Sequence, residues 1–117
     1  MIDIQKRLAY KKAKQQIIPG TYSSVVTNVD WSAKHGGKKA FEISYNVTCG
    51  EAVISYKEYF LNDNQNHRTM DFLEYLDKHG FKDPADFIGH IETLTFDDVE
   101  AANGNTYLNI VKREFIR

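Results

Sequence analysis

Residues 41–47 alternate strictly, with Phe41, Ile43, Tyr45 and Val47 on one parity and Glu42, Ser44 and Asn46 on the other. A period of two predicts a strand with one face in a core. Cys49-Gly50-Glu51 offers a tight reversal. Residues 52–61 then return as the second arm of a hairpin, with Ile54, Tyr56 and Phe60 on one face and Val53, Ser55, Lys57 and Tyr59 on the other. Upstream, Pro19-Gly20 breaks the chain. Residues 21–31 are rich in β-branched and aromatic types (Tyr22, Val25, Val26, Thr27, Val29, Trp31) and predict an earlier strand. Residues 32–39, with Gly36-Gly37 among lysines, read as a flexible basic loop.

The period changes after residue 61. Asn62-Asp63-Asn64-Gln65-Asn66 is a polar connector that offers an N-cap, and residues 67–79 predict a helix with Met70, Phe72, Leu73 and Leu76 on its buried side. Gly80 suits the left-handed C′ position, with Phe81 at C″ folding back on Leu76 at C3. Asp83-Pro84 caps a second short helical turn. A strand over residues 88–99, a turn at Asn103-Gly104-Asn105 and a last strand over residues 106–115 complete the series. In that last strand Tyr107, Asn109 and Arg113 share a face. Residues 1–16 form a basic N-terminal arm or short helix, because Ile4 and Leu8 give only a thin apolar stripe. Residues 17–117 make one domain.

Five strands with one helix between the third and fourth is the order of the OB-fold, a five-stranded, partly open Greek-key barrel. An all-antiparallel sheet with a loosely packed helix is the competing topology. Either way the expected core is Phe41, Ile43, Tyr45, Ile54, Tyr56, Phe60, Leu73, Leu76, Leu94, Phe96, Leu108 and Ile110.

A chain of 117 residues is long enough to bury such a core without a metal or disulfide. Cys49 stands alone, which excludes an intramolecular disulfide and a thiolate zinc cluster, and points to a reducing compartment. No apolar run approaches the ~20 residues of a membrane span, and no secretory apolar segment follows the N-terminal cations. The expectation is a cytoplasmic protein with no membrane partner. The net charge of −1 conceals an asymmetry: residues 1–39 hold eight Lys/Arg against two acids, and residues 40–104 hold four against thirteen. Either the surface is dipolar and solvated, or the basic segments converge into one anion-binding stripe.

Candidate chemistry follows from that stripe. Binding a single strand requires cations along the phosphates and flat side chains for the bases. In an OB-fold the second and third strands, with the loops joining strands one to two and four to five, form the groove. The candidates are Lys34, His35, Lys38 and Lys39 in the basic loop, Trp31 at its root, Lys57 and Tyr59 on the polar face of the third strand, and Tyr107 and Arg113 in the last. Asp97, Asp98 and Glu100 could hold a divalent cation, but three acids near a turn usually solvate it. His35, His67, His79 and His90 are too scattered for a metal site, and no phosphate loop or nucleophile elbow is present. No catalytic residue, metal or cofactor is expected. The alternative is a non-catalytic adaptor, an OB-fold domain that binds another protein.

Several stretches carry a family resemblance: Ile18-Pro19-Gly20-Thr21-Tyr22, the Gly-Gly loop, the strand over residues 41–47, Glu58-Tyr59-Phe60-Leu61, His79-Gly80, Phe87-Ile88-Gly89 and Tyr107-Leu108-Asn109-Ile110. In that order, over about residues 17–115, the chain resembles phage- and mobile-element-encoded OB-fold single-stranded DNA-binding proteins of Gram-positive bacteria. The resemblance implies single-stranded DNA as ligand, a place in replication or recombination alongside proteins of those processes, and a chain able to form a homo-oligomer. It transfers no motif residue by residue. The better-known bacterial single-stranded DNA-binding proteins end in an acidic, disordered tail, whereas this sequence ends Arg113-Glu114-Phe115-Ile116-Arg117, so recruitment through such a tail is not expected.

Overall fold

The alternating segment at residues 41–47 lies in the longest strand of a curled antiparallel sheet. The computed structural model describes Ile4 and residues 17–117; the rest of the expected N-terminal arm lies outside the described residues. The elements are β1 (Gly20–Asp30), β2 (Lys34–His35), β3 (Lys38–Cys49), β4 (Ala52–Leu61), α1 (His67–Lys78), a 3₁₀ turn (Pro84–Phe87), β5 (Ile91–Glu100) and β6 (Thr106–Phe115). β1 pairs with β3 along one edge and β5 along the other, while β3 pairs with β4 and β5 with β6. The two-residue β2 continues β1's side of β3.

The sheet curls into a half-barrel. Among the described residues no ladder joins β4 to β6. Side chains cross that seam instead: the Tyr56 hydroxyl reaches the Leu108 carbonyl at 3.5 Å, and Arg113 on β6 pairs with Glu58 on β4. Inside the curl, Val26, Phe41, Ile43, Tyr45, Val47, Phe60, Leu94 and Phe96 pack with Phe72 and Leu76 of α1 and with Phe87. Phe60 and Phe72 stack at 4.2 Å between centroids, which fastens α1 to β4. Of the expected core, Tyr56, Leu73, Leu108 and Ile110 are only partly buried.

Local chemistry fixes the helix ends. Asn66 Oδ1 accepts from the Thr69 N–H at 3.0 Å. At the other end the Phe81 N–H bonds the Leu76 carbonyl and the Gly80 N–H bonds the Asp77 carbonyl, both at 3.0 Å. With Gly80 at φ +86° this is a Schellman cap, as the sequence predicts. Met70 departs from expectation and is 41% exposed. It lies two positions before Phe72, about 200° round the helix, so the stripe that buries Thr69, Phe72 and Leu76 turns Met70 to solvent. The fourth long strand, β5, also starts late. Ile88 is the cap of the 3₁₀ turn and is exposed, and pairing with β1 begins at Ile91.

Two bulges reset the alternation. Thr27 is unpaired between Val26 and Asn28 on β1, and Val111 between Ile110 and Lys112 on β6. A bulge inserts one residue, so side chains beyond it change face. Beyond Val111, Arg113 therefore points inward opposite Leu94.

Candidate functional site

The basic loop is a tight hairpin rather than a loose connection. Lys34 pairs with Lys39 and His35 with Lys38, and Gly36 and Gly37 close the turn at φ +59° and +78°. Positive φ at both central positions is the two-residue hairpin geometry, which glycine adopts without steric cost. Directly paired residues share a face, so the hairpin divides the predicted residues into two groups.

On the outer face, His35 stacks on Tyr59 at 5.1 Å and 24°, with Lys38 opposite His35. Tyr59 is paired in register with Glu42, and Lys57 with Ser44. Lys57 Nζ also lies 3.3 Å from Glu42 Oε1. Hydrogen bonding to the Glu42 carboxylate, then desolvation and nearby negative charge, push the Tyr59 phenol up, so it stays neutral. Asp30 sits across from Glu42 and is held below the usual carboxylate range by Ser32, whose hydroxyl donates at 2.8 Å and N–H at 2.9 Å. The other group is Trp31 with Lys34 and Lys39. Together with Ser32, Ala33 and Asn62 they line a recess of about 340 Å³. Trp31 is 45% exposed, and its ring packs on Phe41 with 5.1 Å between centroids.

Lys34, Lys38 and Lys39 make no ion pair among the described residues. Lys34 and Lys39 face each other across the ladder, an arrangement of like charges that is unfavourable until an anion lies near it. Tyr107 lies apart, on the β5–β6 hairpin. Its hydroxyl accepts from the Asn103 and Asn105 amides at 3.3 and 3.4 Å, which holds its pKa below the ordinary tyrosine value.

Arg113 is the correction within the predicted set. The shared face with Tyr107 and Asn109 does not form, because the Val111 bulge turns Arg113 inward. Its Nη2 donates to Glu58 Oε2 at 2.9 Å and Oε1 at 3.1 Å, and its Nη1 to the Tyr45 hydroxyl at 3.2 Å. Burial alone would lower its pKa, but the Glu58 carboxylate more than offsets this and keeps the guanidinium firmly charged. A phosphate at the surface cannot engage it, so the basic stripe loses this member.

Sequence reasoning missed the polar cluster around Arg113. Glu58 also receives Arg68 Nη2 at 2.9 Å and the Tyr45 hydroxyl at 3.1 Å. Glu92 is fully buried: Tyr75 donates to its Oε2 at 2.9 Å, while its Oε1 has no hydrogen-bond partner among the described residues. Desolvation pushes the Glu92 carboxyl up to about 7, with Arg113 and the Tyr75 hydrogen bond opposing. One signal for Glu58 was available: it has the parity of Ile54, Tyr56 and Phe60 in an otherwise apolar row.

Asp97 and Asp98 are consecutive and leave β5 by opposite faces. Among the described residues no three His, Cys, Asp or Glu side chains come together as a metal site, and no helix is long and apolar enough to cross a membrane. No protein-family model matches the chain, and no curated protein is detectably similar to it.

Proposed function

We propose that the chain is a sequence-tolerant single-stranded DNA-binding protein built on an OB-type barrel. The observation that carries this reading is the β2–β3 hairpin, where three lysines without acid partners among the described residues flank the His35–Tyr59 stack on one face and Trp31 on the other. Cations beside flat rings are what a flexible, unpaired strand needs. The strand path supports the fold: β1 is shared between β3 and β5, with hairpins β3–β4 and β5–β6, and α1 lies between the third and fourth long strands. This path fits an OB-fold whose closing ladder is left open. The setting in phage or mobile-element replication or recombination rests on the sequence resemblance.

The test is a titration of a labelled oligonucleotide of about 30 nucleotides at several salt concentrations. Replacing Lys34, Lys38 and Lys39 together with Gln should weaken binding alike for all sequences. It should also flatten the slope of log K against log salt by about 2, since each phosphate contact on a single strand contributes roughly 0.7. Tyr59→Ala should instead cost about 1–3 kcal/mol per displaced base with the slope nearly unchanged. Absence of binding by the unmodified protein at low salt, where attraction is least screened, would overturn the proposal.

A further inference from the structure

The seam between β4 and β6 holds a groove of about 470 Å³, walled by Phe60, Phe72, Tyr75 and Arg68 on one side and by residues 110–113 of β6 on the other. The groove meets β6 at the Val111 bulge, along the edge that faces β4. That edge is open: among the described residues β6 is laddered to β5 alone. The facing edge of β4 is capped in part, at its end beside α1. Arg68 donates to the Tyr59 carbonyl and the Thr69 hydroxyl to the Leu61 carbonyl at 2.8 Å. Among the described residues the β6 edge thus keeps unladdered backbone groups beside an aromatic wall, which is the arrangement that accepts an added strand.

The groove's charge selects among occupants. Arg68 and Arg113 share the single Glu58 carboxylate, which leaves a net positive charge at that point. Lys112 adds another and makes no ion pair among the described residues, while Asp71 is the one acid lining the groove. Nucleic acid suits this groove less well. Phe60 and Phe72 stack on each other, Arg68 lies 4.3 Å above Phe60 and Arg113 4.8 Å above Phe72, so those ring faces are already covered. The groups left to satisfy are backbone N–H and C=O, together with apolar ring edges.

We propose that this groove docks an extended acidic peptide segment of a partner protein, added as a strand along the free edge of β6. Its inward side chains are apolar and cover the part-exposed Tyr75 ring and Ile110 at the groove wall. Its outward ones are acidic and meet Lys112, with Arg68 at the rim. The site is separate from the β2–β3 hairpin, so its fate does not depend on the nucleic-acid reading.

The probe is a labelled eight-residue peptide alternating valine and glutamate, titrated against the full chain, with a valine–lysine peptide and a 30-nucleotide oligothymidine alongside. The expected result is binding of the glutamate peptide but not of the lysine peptide, with amide exchange at residues 110–112 slowed and with no displacement by oligothymidine. Lys112→Glu combined with Arg68→Gln should reduce that binding about tenfold, on the scale of two exposed ion pairs. Lys112→Glu alone, at an exposed position, should reduce it in the same direction if the pair of substitutions impairs folding. The proposal fails if neither peptide binds, or if the lysine peptide binds equally well. It fails likewise if slowed exchange maps away from β6, if oligothymidine displaces the peptide, or if β6 amides become protected with rising protein concentration alone, the mark of a second copy.

Discussion

Glu58→Ala should destabilise the fold by about 3–5 kcal/mol, because it strands the Arg113 guanidinium inside the half-barrel without its counter-charge. The geometry explains the magnitude. Arg113 gives two hydrogen bonds to Glu58 and one to Tyr45, and Tyr45, itself fully buried, donates to the same carboxylate. No other carboxylate accepts from Arg113 among the described residues, since Glu92 is held by Tyr75. Against a typical total stability of about 5–15 kcal/mol, such a loss leaves a measurable unfolded fraction. Replacing both partners with apolar residues of similar size, Glu58→Leu with Arg113→Met, should be milder than Glu58→Ala alone, because no buried charge is left unpaired. Urea unfolding followed by circular dichroism checks both. A single-variant loss below about 1 kcal/mol would show that water reaches the cluster and that the pair acts as a surface ion pair does.

Stability should also fall as pH rises from about 4.5 to about 7, through Glu92. Burial lifts its folded pKa to about 7 from an ordinary carboxylate value. The groups around it are Tyr75 from α1, Arg113 from β6, Tyr45 from β3 and Glu58 from β4. Between the two pKa values the folded state holds a proton that the unfolded state has released. Unfolding free energy therefore decreases with pH in that window and levels off above it. At about 1.4 kcal/mol per pKa unit the full effect is about 3 kcal/mol. Other carboxylates titrate in the same range, so the informative quantity is the difference between the unmodified protein and Glu92→Gln, which keeps the shape and removes the titration. That difference should change steadily across the window. A flat difference from pH 4.5 to 8 would exclude the mechanism.

The parts of this fold legible in the sequence are those that depend on near neighbours. The core face of residues 41–47, the Asn66 cap and the Gly80–Phe81 closure each rest on a few adjacent residues and are found at their expected positions, although Glu42 and Ser44 on the opposite face of that strand are buried too. The hairpin lysines and the Tyr59 face were legible for the same reason. Distant partners were not. Nothing in the row Ile110-Val111-Lys112-Arg113 marks Val111 as the extra residue, because the bulge is defined by what β5 presents opposite it. One unpaired residue moved Arg113 from a surface candidate to a buried partner of Glu58. Met70 is a different case: the helical period already excluded it from the Phe72–Leu76 face, and apolar character alone drew it in.

The sharing of β1 between β3 and β5 has a consequence for how the chain is made. β1, β3 and β4 are joined by short connections and can pair as soon as they emerge. β1's second edge must wait for β5: Ser24, whose hydroxyl bonds the Glu92 carbonyl, precedes it by 68 positions. At the usual 5–20 residues per second of synthesis this is roughly 3–14 s. For the later part of that interval, once β4 is complete at Leu61, a meander with β1's second edge unpaired and an uncovered Phe41–Val47 face stands beside the ribosome. Aggregation during expression is therefore a hazard of the nascent chain more than of the finished protein, in which β5 covers that edge.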